Sequence, residues 1–266
     1  MSYEPLEHQS TPAATADQFA RDLRNRETLI GYWSVLDSPI SNERVARVGY
    51  DYVALDLQHG LIGYSGMLTN LLAIDAGATS VGLVRVEAND ATAIGRALDA
   101  GAAGVIVPMV DTAQDAAAAV TACRYPPVGR RSYGPMRSAL RVGPIPAQAD
   151  AATLVLVMIE TPQGLENVEE ICAVPGVDGV YIGPSDLRLA VGGASPSDTS
   201  VNDLFEAGLT RVRTAAAAAG IAAGIHTPEG AVAAKRLAEG FTFASVASDL
   251  THLEAIATQH LKAARG

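Results

Sequence analysis

Residues 154–190 read LVLVMIETPQGLENVEEICAVPGVDGVYIGPSDLRLA and hold two acids placed for chemistry, Glu160 and Asp186. Each stands at the end of a short apolar run, 154–159 and 179–182, too brief and too closely bounded by turn residues to be a helix. Both runs read as buried strands. Each acid also sits beside a helix start: Glu160 precedes Thr161-Pro162, and Asp186 follows Gly183-Pro184-Ser185. Two carboxylates therefore lie at the carboxyl ends of neighbouring strands, the edge of a parallel α/β protein where chemistry is done. Acids facing one cleft repel each other, so they either hold a cation between them or share a proton. The cation is the expectation.

Other strand ends supply further candidates. The second strand runs into Asp56-Leu57-Gln58-His59-Gly60, which puts a histidine at the same rim. A lone histidine is commonly structural, yet at a strand end its near-neutral titration suits general acid/base work. The third strand ends at Val84-Arg85-Val86. A cation emerging from an apolar run must find an anion, which is either a substrate or, as a plain salt bridge, Asp56. Asp99, in RALDAGAAG ahead of the fourth strand, is either an ordinary helix-end residue or a group that orients His59. His226, in GIHTPEG at the end of the seventh strand, either touches substrate or serves as a helix-entry residue beside Thr227 and Pro228.

The only lysines are Lys235 and Lys262, against seventeen arginines. Lys235 falls inside an expected helix over 228–239 and Lys262 lies close to the last residue, so neither stands at a strand end. Schiff-base chemistry needs a desolvated lysine in the pocket and is all but excluded. That leaves a metal.

The elements that must carry these residues form a regular alternation. Strands are expected over 29–36, 52–57, 80–86, 104–107, 154–159, 179–182, 222–225 and 241–247, with helices over 42–48, 65–76, 91–100, 112–123, 164–172, 201–219 and 228–239. Eight βα units in 266 residues imply a single-domain (β/α)8 TIM barrel of class α/β, a fold of typically about 250 residues. The expected division is a frayed terminus over 1–15 and the barrel over 16–266, with a helix over 16–27 closing one end. Gly77, Gly101, Gly176, Gly220 and Gly240 stand where left-handed C-caps would end helices. One long connection, 124–152, breaks the rhythm and carries Arg130, Arg131, Arg137 and Arg141. Such a loop contacts either substrate or a neighbouring subunit.

The net charge of −10 argues against a phosphate-backbone partner, so no nucleic acid is expected. No apolar run approaches the roughly 20 residues of a membrane helix, and the start MSYEPLEHQS lacks a signal pattern. With only Cys123 and Cys172 as thiols, a cytoplasmic protein without a disulfide framework is expected.

Taken together, GYWSVLDSP, ALDLQHG, VRV, ALDAGAAGVIVPMVDT, RYPPVGRR, IETPQGLENV and DGVYIGPSDL span nearly the whole chain. In this combination the chain resembles the class II pyruvate-dependent aldolases of the HpcH/HpaI type. The resemblance implies a metal-dependent (β/α)8 barrel that reversibly joins pyruvate to an aldehyde through a pyruvate enolate, with a small-molecule 4-hydroxy-2-oxo acid as the cleavable substrate. It implies Glu160 and Asp186 as ligands of a divalent cation (Mg2+, Mn2+ or Co2+), Arg85 as the contact to pyruvate and its enolate, and His59 with Asp99 as the acid/base pair. Trp33 resembles a pocket wall, and Gln58 and the turn Gly183-Pro184-Ser185 fall at substrate-binding positions. Many members are hexamers, so a homo-hexamer built as a trimer of dimers is expected. Two positions depart from the best-known members: Gln58 stands where many carry an acid, and Met158 where many carry glutamine. A citryl- or malyl-CoA type lyase and a non-catalytic oxo-acid-binding barrel are the alternatives. The first needs a basic nucleotide groove.

Overall fold

The computed structural model describes residues 12–266. Strands β1 (Leu29–Ser34), β2 (Tyr52–Asp56), β3 (Val81–Arg85), β4 (Gly104–Val107), β5 (Leu154–Met158), β6 (Gly179–Ile182), β7 (Ala222–Thr227) and β8 (Phe243–Val246) close into a barrel in chain order. Every neighbouring pair is parallel, including β1 with β8. Around it run α1 (Pro12–Arg24), α2 (Pro39–Val45), α3 (Tyr64–Gly77), α4 (Ala91–Asp99), α5 (Ala113–Cys123), α6 (Ala139–Val142), α7 (Pro146–Ala152), α8 (Pro162–Glu166), α9 (Val168–Cys172), α10 (Pro184–Ala190), α11 (Asn202–Ala219), α12 (Gly230–Ala238) and α13 (Asp249–Arg265).

The strands are apolar on both faces because each face is covered. In β2, Val53 and Leu55 pack outward into the cluster shared with the helices, while Tyr52 and Ala54 pack inward with Leu83, Ile106, Leu156, Tyr181 and Phe243. Glycine makes room for the large inner rings: a Cβ at Gly31 would collide with the Tyr52 ring, and one at Gly224 with the Phe243 ring. Helix α1 stoppers the amino-terminal end of the lumen. Its Ala16, Phe19, Ala20 and Leu23 share one helical face and join the inner cluster, with the Phe19 ring 5.8 Å from Tyr52. Truncating Phe19 to alanine would cost about 3–5 kcal/mol.

Several expectations change in detail. The terminus expected to fray over 1–15 lies outside the described residues up to 11, and α1 already includes residues 12–15. The helix expected over 164–172 is two, α8 and α9, broken at Asn167. Gly77 is no C-cap: Ala78 takes the left-handed turn at φ 67°, and Gly77 is small because a Cβ there would meet the Ala46 Cβ at 2.5 Å, where α3 crosses α2. Gly101, Gly176, Gly220 and Gly240 do take positive φ.

The alternation read from the sequence stops at β8, and the structure adds α13. Asp249 anchors its first turn by accepting hydrogen bonds from Ser34 Oγ (2.9 Å) and the Val35 and Leu36 amides (2.9 and 3.0 Å). Beyond that turn the helix stands away from the barrel, with Leu253 58% and Ile256 52% exposed.

The arginine-rich connection does not reach the catalytic rim of its own barrel. It leaves α5 and returns into β5 at the amino-terminal rim, where its side chains act as staples. Arg131 donates to Asp99 (2.7 Å), Arg137 to Asp75 and to the Ala100 carbonyl, and Arg141 pairs with Asp75. Beside them Asp178 gathers Arg24 (2.7 Å), Arg124 (3.3 Å) and the Val155 amide (2.8 Å). Within one chain Arg131, Arg137 and Arg141 are held in internal ion pairs and do not line the rim cavity. Arg130 instead lines a lateral groove between α4 and α5.

Candidate active site

Eight parallel strands point their carboxyl ends at one rim, and the sequence candidates meet there. Trp33 on β1, Arg85 at the end of β3, His59 after β2, Gly183, Pro184, Ser185 and Asp186 after β6, and His226 on β7 line one cavity of about 180 Å³. Met158 and Tyr181 complete its floor. The groove between α4 and α5 is larger, about 680 Å³, but it holds neither metal-ligand candidate and shares no lining residue with this cavity. Size does not locate the site here; convergent charge does.

Glu160 follows β5 and is only 4% exposed. Its Oε1 accepts the Met109 backbone N–H at 2.8 Å. Met109 holds a left-handed φ of 55°, a strained conformation for a residue with a Cβ. The other oxygen, Oε2, turns toward Asp186. A Cβ built on Gly183 would lie 3.1 Å from Glu160 Oε2 and 3.7 Å from Asp186 Oδ2, so both carboxylates approach the open side of this glycine and a side chain there would press on Glu160. Burial, and then the negative charge of Asp186, push the Glu160 pKa upward, against the Met109 hydrogen bond and Arg85. A pair so placed takes up a cation or a proton. Among the described residues no three His, Cys, Asp or Glu side chains group to hold a metal. The two oxygens fit a hard divalent cation whose other positions go to water and substrate.

Arg85 and Asp56 close the opposite wall. The guanidinium donates to both Asp56 oxygens, with Nε 2.9 Å from Oδ1. Asp56 also accepts the Trp33 indole N–H (3.3 Å) and the Gln58 and His59 amides (3.0 and 3.2 Å), so it shapes the turn that carries His59. The Trp33 ring stacks on Tyr181 (5.6 Å, 13°), has His226 at its edge (5.3 Å, 71°), and lies 5.1 Å from the Arg85 guanidinium carbon. Beneath them Tyr52 and Tyr181 both hydrogen-bond to Ser245 Oγ, at 2.9 and 2.7 Å, a buried polar brace under the cavity floor.

Three candidates fall outside the cavity lining: Glu160, which reaches it only through its contact at Gly183, Gln58 and Asp99. The Gln58 side chain has a buried Oε1 without a partner. Asp99 ends α4 at the far rim and is bonded to Arg131, so a single chain does not bring it to His59. The sequence reading named Asp56 only as a salt-bridge partner, and that pair is formed. It did not single out Tyr181, Ser245 or the Met109 amide. Asp56 could have been singled out as a third acid ending a strand, like Glu160. Tyr181 is masked by its apolar run, and nothing local marks Met109 for a left-handed turn.

A closed (β/α)8 barrel with an acid pair and a buried arginine at its carboxyl rim is the frame of an enzyme. The HpcH/HpaI aldolase/citrate lyase family model matches residues 29–255, and the chain belongs to that family. It is 42% identical over 241 residues to a hydroxypyruvate/pyruvate aldolase of Rhizorhabdus wittichii, covering 90% of this chain and 95% of that one. It is 40% identical over 251 residues to a 4-hydroxy-2-oxovalerate aldolase of Rhodococcus jostii, covering 93% and 95%. A solved structure of an HpcH/HpaI aldolase/citrate lyase family protein from Burkholderia cenocepacia superposes with a TM-score of 0.87 at 32% identity, covering 94% of this chain and all of that one. The relatives are lyases that act on small molecules. No helix among the described residues is long and apolar enough to cross a membrane.

Proposed function

We propose that this chain is a divalent-cation-dependent aldolase that reversibly cleaves a 4-hydroxy-2-oxo acid into pyruvate and an aldehyde. The observation that carries the reading is the approach of Glu160 Oε2 and Asp186 Oδ2 to Gly183, at the edge of a small cavity lined by Asp186 and Arg85. Both relatives described above are named as aldolases of short oxo acids.

Glu160 and Asp186 would hold the cation. When bound, it supplies Lewis acidity at the 2-oxo group. Arg85, fixed by Asp56, offers a rigid positive fork to the substrate carboxylate and to the oxygen on which enolate charge develops. His59, at the open side of the cavity, takes the proton from the 4-hydroxyl as the C3–C4 bond breaks; its electron pair passes into the enolate and the aldehyde departs. In the synthetic direction His59 returns that proton. Trp33 and Tyr181 form the flat apolar wall that limits water near the enolate carbon. The lysines take no part: Lys235 lies on α12 and Lys262 on α13.

We further propose a homo-hexamer, arranged as a trimer of dimers and working in the cytoplasm. The apolar side chains left open along α13 support assembly, and the free, buried Cys123 and Cys172 suit a reducing compartment. Light scattering at micromolar concentration tests the first; a monomer ends it.

The deciding assay is pyruvate release from a racemic 4-hydroxy-2-oxo acid, with and without chelator, beside turnover of a CoA ester. Chelator-sensitive release, restored by Mg2+, Mn2+ or Co2+, is expected. Chelator-resistant turnover, or turnover of the CoA ester alone, would overturn the proposal.

A further inference from the structure

The alternation of β7 sends Ile225 into the outer cluster and turns His226 inward, above Gly224. There the imidazole borders two cavities. One is the 180 Å³ cavity with Arg85 and Asp186; the other, about 450 Å³, extends outward between α10, α11 and α12. Pro184, Ser185 and His226 are the residues common to both linings. His226 Nδ1 is shielded from solvent and has no hydrogen-bond partner. A buried polar atom left unpaired loses its hydration without compensation, so it calls for a partner that the protein does not supply.

We infer that His226 is a specificity-determining residue that reads a hydroxyl on the aldehyde-derived half of the substrate, next to the carbon that becomes C4. This rests on the aldolase reading above. With the oxo-acid core in the small cavity, the wall that the two cavities share gives the chain beyond C4 a route into the larger one. His226 is the group on that wall with a free nitrogen.

The kind of partner follows from the charge of the ring. Burial, and then the nearby Arg85 cation, hold the His226 pKa down at about 4. At neutral pH the ring is uncharged, with one nitrogen donating and the other accepting. A hydroxyl satisfies either tautomer of Nδ1, because it both donates and accepts. A carboxylate would be served only by the tautomer with a hydrogen on Nδ1, and an alkyl group would leave Nδ1 unpaired. Of the two arginines in the outer cavity, Arg236 is already paired with Glu206 (2.7 Å) and Glu239 (2.8 Å).

Glycolaldehyde and propanal are matched probes, one hydroxyl replacing one methyl. The experiment measures kcat/KM for addition of pyruvate to each aldehyde in the wild-type protein, His226→Leu and His226→Gln. The Leu variant should lower the glycolaldehyde-to-propanal ratio by about 10- to 100-fold, as expected when a site built for a hydroxyl loses its partner. The Gln variant, which restores a donor and an acceptor, should recover part of the ratio. Differences in intrinsic aldehyde reactivity cancel between variant and wild type. A Leu ratio within twofold of wild type overturns the role of His226, and so does a Gln ratio as low as that of Leu. Pyruvate C3 hydrogen–deuterium exchange, followed by NMR, separates the two levels. Exchange with an unchanged ratio defeats only the His226 reading, whereas loss of both exchange and addition in the wild-type protein defeats the aldolase reading.

Discussion

Arg85 and Asp56 sit directly opposite each other in the β2–β3 register, and the guanidinium of one grips both oxygens of the other. Burial alone would raise the Asp56 pKa, but the hydrogen bond and charge of Arg85 outweigh it and hold the carboxyl below its usual range. The same arginine lines the cavity, so the structural salt bridge and the proposed substrate contact would be one arrangement. Asp56→Ala should cost about 3–5 kcal/mol in urea unfolding, because it strands a buried cation. Arg85→Lys keeps the charge and loses the fork. Its kcat/KM should fall by about 10²–10³, with a smaller stability loss than Asp56→Ala.

Glu160→Ala and Asp186→Ala should each abolish the response to metal. For the wild-type protein, Mn2+ at a hundred times its Kd should add about 2.7 kcal/mol to unfolding free energy, seen as a rise in Tm. Neither variant should show that rise, and neither should exchange the C3 hydrogens of pyruvate. A variant that melts higher with Mn2+, as wild type does, would contradict the ligand assignment.

His59→Ala should reduce retro-aldol turnover by about 10²–10⁴ while pyruvate exchange persists, since in the proposed mechanism the base acts on the 4-hydroxyl. Asp99→Asn distinguishes two roles. Bonded to Arg131 within the chain, Asp99 should affect mainly Tm, with kcat changed less than tenfold. A loss of kcat comparable to that of His59→Ala would place Asp99 in the proton path instead.

The pH dependence of stability carries the signature of His226. Its pKa falls from 6.5 unfolded to about 4 folded, so between these values the unfolded chain binds more protons. Stability is therefore lost as pH falls from 6.5 toward 4, by about 1–3 kcal/mol from this group. In chelator, urea unfolding at neutral pH and near pH 4.5 should differ less in His226→Leu than in the wild type. An equal difference in both would remove His226 as the cause.

Borohydride reduction in the presence of pyruvate should leave the mass unchanged. Lys235 is paired with Glu239 at 3.8 Å on an outer helix, far from the desolvated pocket that an imine requires. A stable pyruvyl adduct would refute this.

Much of the frame can be read locally. The runs at Gly104–Val107 and Gly179–Ile182 become strands residue for residue, since a glycine opens each and Pro108 or Gly183 ends it. Glu160, Asp186, Arg85 and His59 are visible because parallel strands all deliver their carboxyl ends to one rim. What escapes depends on packing between distant segments. The Asp99 to Arg131 bond joins residues 32 apart, through a loop whose path no short pattern specifies. The outer cavity beside His226 exists only once α10, α11 and α12 are assembled. Helix α13 follows Ser248, whose side chain caps it, a start signal readable in the chain, but its apolar residues find no place on this barrel.

The separation of the two rims bears on how such a protein can change. Stability is invested at the floor, in α1 and the arginine staples on Asp75, Asp99 and Asp178. On the reading proposed above, selectivity resides at the opposite rim, in residues such as His226, whose Nδ1 has no hydrogen-bond partner in the chain. On that reading, mutations that alter the choice of aldehyde touch side chains distant from those that keep the barrel closed, and their stability effects should be close to additive. Libraries confined to the rim after β6 and β7 should yield folded variants with shifted acceptors, and new substrate preferences can arise in this lineage in single steps.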